Sequence, residues 1–298
     1  MAGRLAACSA ARCGAVMAWA LCATVLASQS PAAAELRAKF EQRLREIAAR
    51  IDGVAGYAIL DLTSGDRIGH LEDAVFPTAS TIKLAVVYEL FKQVEARRIR
   101  LDDMLTLDRA QAVGGSGILF HLGTPTLSLR DYATLMVTLS DNTATNVLID
   151  RLGMDAINAR MQALGLAATK LRRHMMDAAA ARRGDENVST PAEIVRLLQA
   201  INKEPDAVAL LQKPKESRLR NGLPPEIDTA DKPGELEGVR VDAGIVFEKN
   251  RPYVMCVMTT YLKNDAEGER AIEEMSRAAY DYFSRLGAGG AYGRRLGR

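Results

Sequence analysis

Cysteine is scarce in this chain and unevenly placed. Of four cysteines in 298 residues, Cys8, Cys13 and Cys22 crowd the N-terminus and only Cys256 lies beyond it, inside the apolar run YVMCVMTTY. A chain cut after that N-terminal segment would keep one thiol, so no internal disulfide framework is available, and Cys256 reads as a small buried hydrophobe. Histidine is equally sparse. His70, His121 and His174 are the complete set and stand at no metal-ligand spacing, so neither a metal nor another cofactor is expected. Charge of one sign is also missing, with 39 basic against 37 acidic residues and a net charge of +2, which removes the electrostatic case for nucleic acid or an anionic membrane. The one Gly-rich stretch, GGSG, follows no strand and precedes an apolar run, which argues against a phosphate loop. No internal repeat is present. What remains, 48% hydrophobic and 26% charged, suits one large domain or two interleaved subdomains with a full core.

The N-terminus differs in kind. Arg4 and Arg12 precede the apolar run GAVMAWALCATVLA (Gly14 to Ala27), which is followed by SQSPAAAE. That run falls short of the ~20 apolar residues that span a bilayer. Its three-part pattern reads as a signal peptide over residues 1–34, with cleavage after Ala32-Ala33-Ala34, and the predicted product is a secreted or periplasmic monomer without a stable membrane anchor.

Past that point, Leu36, Phe40, Leu44, Ile47 and Ile51 recur at helical spacing. Two strand-like runs, Gly56–Leu62 and Asp66–Leu71, flank the hairpin signal Thr63-Ser64-Gly65. Helical patterns then dominate from Ser80 to about Gln212, with breaks at 112–117, 140–142 and 180–191; Thr190-Pro191 is a good helix start. Strands are predicted over Gly238–Phe247 and Pro252–Leu262, and a closing helix over about Asp265–Leu286. The Gly- and Arg-rich remainder, 287–298, reads as a flexible tail. This order predicts an α+β fold: an α/β sandwich with an antiparallel sheet, built from 35–78 and 226–286, and an all-α lobe, 79–225, inserted into it. Clefts between two such lobes commonly bind ligands.

Three short motifs carry chemistry, and each has a plain structural alternative. Ser80 and Lys83 stand three apart at the mouth of an apolar helix, so hydroxyl and amine share one face; Ser80 is either a helix cap or a nucleophile served by a lysine of lowered pKa. Ser140-Asp141-Asn142 is either a helix-to-helix turn or a proton carrier followed by an amide able to hold a substrate carbonyl. Lys232-Pro233-Gly234 is either a turn into a strand or a cation at a strand edge, with a small residue that lets substrate approach the backbone.

In order and rough spacing, the three motifs resemble the S-x-x-K, S-D-N and K-T-G set of the class A β-lactamase and penicillin-binding-protein superfamily. GSGILFHL, LSLRDYATLM, SDNTATNVLIDRLG and DAGIV extend the resemblance over about Glu35 to Leu286. It implies a β-lactamase/transpeptidase-like fold and a serine hydrolase that takes a β-lactam or a peptidoglycan-like amide or ester. By the same resemblance Ser80 is the acylated nucleophile and Lys83 its base or proton relay. Ser140 passes a proton to the leaving nitrogen, and Asn142 binds the substrate amide. Lys232 holds a substrate carboxylate, assisted by Arg218 or Arg240. The backbone N–H groups of Ser80 and Glu235 form the oxyanion hole.

The chain departs from that pattern twice. Where the class A enzymes carry a glutamate that activates the deacylating water, the segment 170–191 offers Met175 in one alignment and His174 in the other. His174 and Asp177 are the candidate substitutes, with Glu186 further along. Pro233 replaces a Thr or Ser, which removes a hydroxyl and a backbone N–H from the carboxylate site. The acylating machinery therefore looks complete, while release does not. The alternatives are a penicillin-binding or sensor-like protein with slow or no deacylation, or a cell-wall peptidase or esterase.

Overall fold

The structure, a computed structural model, describes Gly3, residues 31–290 and residues 293–295. The signal segment expected over 1–34 lies outside the described residues except for Gly3 and the last four positions. Those four are the start of the first helix, α1 (Pro31–Ala49). Its buried residues, Phe40, Leu44 and Ile47, recur at the predicted helical spacing.

β1 (Val54–Asp61) and β2 (Arg67–His70) form the expected hairpin. Asp61 organises its turn, accepting from the Thr63 and Ser64 N–H groups at 2.8 and 3.2 Å. After β3 (Phe76–Pro77), the chain makes a 3₁₀ turn over Ala79–Ile82 and enters α2 (Lys83–Glu95). A short ribbon, β4 (Met104–Thr106) with β5 (Thr126–Ser128), leads into α3 (Leu129–Thr138). α4 (Asn142–Leu152) and α5 (Met154–Ala163) follow. A long connection then carries α6 (Ala178–Arg182) and β6 (Val188–Ser189), which pairs with β3. α7 (Pro191–Ile201) begins at the predicted start, with the Thr190 hydroxyl accepting from the Glu193 N–H. α8 (Pro205–Gln212) and α9 (Arg218–Asn221) close the helical block.

The chain returns to the sheet through β7 (Thr229–Leu236), β8 (Val239–Val246) and β9 (Tyr253–Thr260), and ends in α10 (Asp265–Ala288). This last helix runs two residues past the predicted boundary, and Gly289 bridges to Arg295 inside the segment expected to be flexible. Strand order is β2-β1-β9-β8-β7, antiparallel throughout, so β7 is an edge strand. Edge position is what allows Pro233 inside it. Of the two sequence readings of Lys232-Pro233-Gly234, a turn into a strand and a cation at a strand edge, the fold gives the second, with the tripeptide inside edge strand β7.

Period-two alternation explains the continuous apolar run of β9. Tyr253, Met255 and Val257 pack under α1 and α10, whereas Val254, Cys256 and Met258 join the core beneath α2 and α7. Cys256 is buried, as its apolar neighbours predicted. No helix among the described residues is long and apolar enough to cross a membrane.

Candidate active site

A cleft of about 760 Å³ opens between the helical block and the β7 edge, lined by Ser80, Ser140, Lys232, Gly234 and Glu235 among others. A second chamber of about 320 Å³ shares Ser80 and Glu235 and extends toward Asn142, Met175 and Met176. The three sequence motifs therefore meet around one hydroxyl.

Ser80 lies inside the 3₁₀ turn that precedes α2, and no side chain caps that turn. The helix-cap reading is therefore not realised, and among the described residues the Ser80 hydroxyl makes no hydrogen bond. Gly234 fixes the approach of β7. A Cβ there would stand 2.8 Å from the Thr78 carbonyl oxygen and 2.9 Å from both the Ser80 and Thr81 nitrogens. The small residue thus accommodates the turn that carries Ser80. Thr81 adds a bond from its hydroxyl to the Lys232 carbonyl at 3.2 Å.

Lys83 is fully buried. Its Nζ donates to the Ser140 carbonyl at 2.6 Å and lies 3.0 Å from Ser140 Oγ and 3.1 Å from Asn142 Oδ1. Burial, reinforced by the Lys232 charge, holds its pKa well below the ordinary lysine value, while Asp141 pulls the other way. Lys232, 1% exposed, reaches the same Ser140 Oγ at 3.2 Å and the Pro233 carbonyl at 2.9 Å. Burial lowers its pKa to about 8 against the opposing charge of Asp242.

Ser140 is presented by strain. Its φ of +51° is left-handed, and Ala79 (+47°) and Met176 (+64°) share that uncommon conformation in the wall of the smaller chamber. Asp141 supports the turn from beneath, accepting from the Ile118, Leu119 and Ala144 N–H groups at 2.6, 2.9 and 2.8 Å. Asn142 spends its amide on Lys83 and on the Gly114 carbonyl at 3.2 Å.

Sequence-selected residues outside this cluster fare differently. His174 turns away from the cleft and pairs through Nε2 with Asp150 at 2.7 Å. Asp177 lines the smaller chamber but caps α6 at Ala180 N (2.9 Å), a bond that lowers its pKa. Glu186 lies there too, held by Arg173 at 2.7 and 3.1 Å. Arg218 pairs with Glu269 of α10 at 3.0 Å. Arg240 pairs with Asp265 and Glu269, each at 3.0 Å. Neither arginine lines the cleft. The facing loop wall is Met175, tied by its backbone to Asn146 at 2.8 and 3.1 Å, and the 55% exposed Met176.

Sequence reasoning missed a buried carboxyl pair. Asp231 sits two residues from Pro233, whose cross-strand partner is Asp242, so the two acids are diagonal neighbours on the sheet face opposite Lys232. Burial and the Asp231 charge raise the Asp242 pKa to about 7. A lone acid in the apolar run GVRVDAGIVF was the available signal. Lys215, which lines the larger cleft, was also missed.

An antiparallel five-stranded sheet, a helical lobe and a serine flanked by two buried lysines define a serine acyl-transfer fold. The chain belongs to the β-lactamase enzyme family, whose model matches residues 39–283. β-Lactamase AST-1 of Nocardia asteroides is 27% identical over 81% of this chain and 83% of its own. Among solved structures, PBP-A superposes with a TM-score of 0.77 at 29% identity, covering 83% of this chain and 97% of the other. A mutant of PBP-A seen as an acyl-enzyme complex with penicillin G gives the same TM-score and identity over 84% and 97%. The expected family and fold class hold.

Proposed function

We propose that this chain is an exported, monomeric serine hydrolase that is acylated at Ser80 by a β-lactam or a related cell-wall amide or ester, and that releases the acyl group slowly. The observation that carries the first half is the Lys83–Ser140–Lys232 chain beside an unbonded Ser80 hydroxyl. A buried lysine whose pKa is held well below its ordinary value can act as a base. Ser80 Oγ attacks the carbonyl carbon and its proton passes to Lys83. Lys83 returns a proton through Ser140 to the leaving nitrogen as the C–N bond breaks, which leaves an ester on Ser80 and a neutral Lys83. Lys232 keeps the Ser140 lone pair occupied and so directs its proton outward. The opening N–H groups of the 3₁₀ turn lack intrahelical acceptors, and Ser80 N with Glu235 N is the donor pair assigned to the developing oxyanion.

The second half rests on the chamber wall. Met175 and Met176 bring no proton acceptor of carboxylate strength, and Asp177 and Glu186 are engaged as a cap and an ion pair. Water attack on the ester therefore lacks an assigned base. Export agrees with α1, whose first buried residue is Phe40, so cleavage before Glu35 would cost the core nothing.

Incubation with a chromogenic cephalosporin, read by absorbance and intact mass, tests this. The expected result is a stoichiometric burst followed by slow release, with the mass adduct on Ser80 and none in Ser80→Ala. Rapid steady turnover without accumulated adduct would remove the slow-release half, and activity surviving in Ser80→Ala would remove the nucleophile.

A further inference from the structure

Two methionines stand apart by exposure. Of those among the described residues, Met104 and Met176 are 59% and 55% exposed, Met154 is half-buried, and the rest are buried. Exposure governs how readily a thioether meets a soluble oxidant. Met104 belongs to β4 and lines neither chamber of the cleft, whereas Met176 stands in the wall of the chamber that shares Ser80.

Met176 is held there at a cost. Its φ of +64° is left-handed, uncommon for a residue with a long side chain. The backbone on either side is pinned. Met175 exchanges bonds with the Asn146 amide at 2.8 and 3.1 Å, the Met176 carbonyl accepts from the Ala178 N–H at 2.9 Å, and Asp177 caps α6. The side chain crosses the chamber to the opposite loop. A Cβ built on Gly115 would stand 2.7 Å from Asn142 Nδ2 and 3.0 Å from Met176 Sδ, so amide nitrogen and sulfur crowd the space over one glycine. Among the described residues that nitrogen donates to the Gly114 carbonyl alone, at 3.2 Å, which leaves its second hydrogen for another acceptor.

We propose that Met176 is a site of reversible oxidation, and that its sulfoxide slows acylation of Ser80 by occupying the Asn142 amide. This rests on the reading that Ser80 is acylated and that Asn142 receives the substrate amide. The oxidant is a peroxide and the step is a two-electron transfer. The thioether sulfur attacks a peroxide oxygen, the O–O bond breaks as an S–O bond forms, and the peroxide leaves as water. A weak acceptor thereby becomes a polar S–O group beside a free N–H. The sulfoxide oxygen accepts that N–H, and a substrate carbonyl must displace it. Reduction by a thiol-dependent sulfoxide reductase removes the oxygen as water and turns two thiols into a disulfide, which restores the thioether.

The test treats the purified protein with hydrogen peroxide, maps each added oxygen by peptide mass spectrometry, and measures the second-order rate of Ser80 adduct formation with a cephalosporin by intact mass. Met104 and Met176 are expected to convert ahead of the buried methionines. Acylation is expected to fall by about threefold to tenfold, the worth of one hydrogen bond between neutral groups, and to recover after treatment with a methionine sulfoxide reductase and dithiothreitol. Met176→Leu is expected to lose the sensitivity to peroxide, and Met104→Leu to keep it. Met176 that stays reduced while Met104 converts would overturn the proposal, as would an unchanged rate in protein whose Met176 is fully converted. An equal loss in Met176→Leu would place the effect at another residue and overturn it too. Should Met176→Leu fold poorly, the Met104→Leu protein measured before oxidation, after it and after reduction decides the matter alone. Absence of a Ser80 adduct on the untreated protein overturns the acylation reading itself, and the switch with it.

Discussion

The ammonium groups of Lys83 and Lys232 converge on a single atom, Ser140 Oγ, at 3.0 and 3.2 Å. One lysine arrives from the first turn of α2 and the other from edge strand β7. Both are buried, and each makes the other's charge more costly. Only one need be protonated, and the two roles proposed for them, base and cation, require opposite states.

That division sets a pH profile. Lys83 must be neutral to accept the Ser80 proton, so acylation rises as pH passes its depressed pKa. Lys232 must be charged to hold an anion, so acylation falls above about 8. The groups facing Lys232 that can tune this limb are Lys83, Lys215, Asp231, Asp242 and Glu235. The expected curve for the second-order acylation rate is a bell with its alkaline limb near 8, and Lys232→Arg moves that limb upward because a guanidinium does not titrate there. A rate flat through pH 9 would contradict it.

Asp242 makes a separate prediction about stability. Its pKa rises on folding from 3.8 to about 7, so the folded state holds a proton that the unfolded state gives up. Stability from this group is complete below about pH 4 and is lost as pH climbs through 7. Thermal melts of Asp242→Asn should gain on wild type between pH 5 and pH 8. A constant difference across that range would mean that Asp242 is ionised throughout.

Met175 is where the missing base can be put back. Met175→Glu places a carboxylate in the wall of the chamber that shares Ser80. Release of the acyl group should accelerate by at least about tenfold, a fraction of the range for general-base catalysis. Because Met175 is buried, the same change should lower the melting temperature. Single-turnover release of a preformed Ser80 adduct measures the first effect directly.

Gly234 tests the approach of β7 to the turn that carries Ser80. The added methyl of Gly234→Ala would meet backbone atoms at 2.8–2.9 Å, and backbone cannot rotate aside. The turn carrying Ser80 must shift, and misplacement on the order of 1 Å costs about a hundredfold in rate. Acylation should fall by that factor in a protein that remains folded by circular dichroism.

Much of this was legible before any coordinates. The α1 stripe, the hairpin at Thr63-Ser64-Gly65, the Thr190-Pro191 start and strands β8 and β9 follow from local periodicity and capping. Strand β7 was hidden because Asp231, Lys232, Pro233 and Gly234 all disfavour strands locally, and only pairing with β8 overrides them. The sequence-based choice of Arg218 or Arg240 failed to reach the cleft for a related reason. Both find acidic partners on α10, at least 25 residues away in sequence, which no local pattern reveals.

By itself, then, the sequence determined the elements with a period and the order of the three motifs, since these depend on neighbours along the chain. Only the tertiary structure decided which side chains are committed and which are free. It tied His174 to Asp150, Asp177 to a helix start, Asn142 to Lys83 and Lys215 to Leu211 and Asp231, and it left the Ser80 hydroxyl unbonded among the described residues. Hydrogen bonds and burial between distant segments settle those matters, and they exist only once the sheet and the helical lobe have closed on one another.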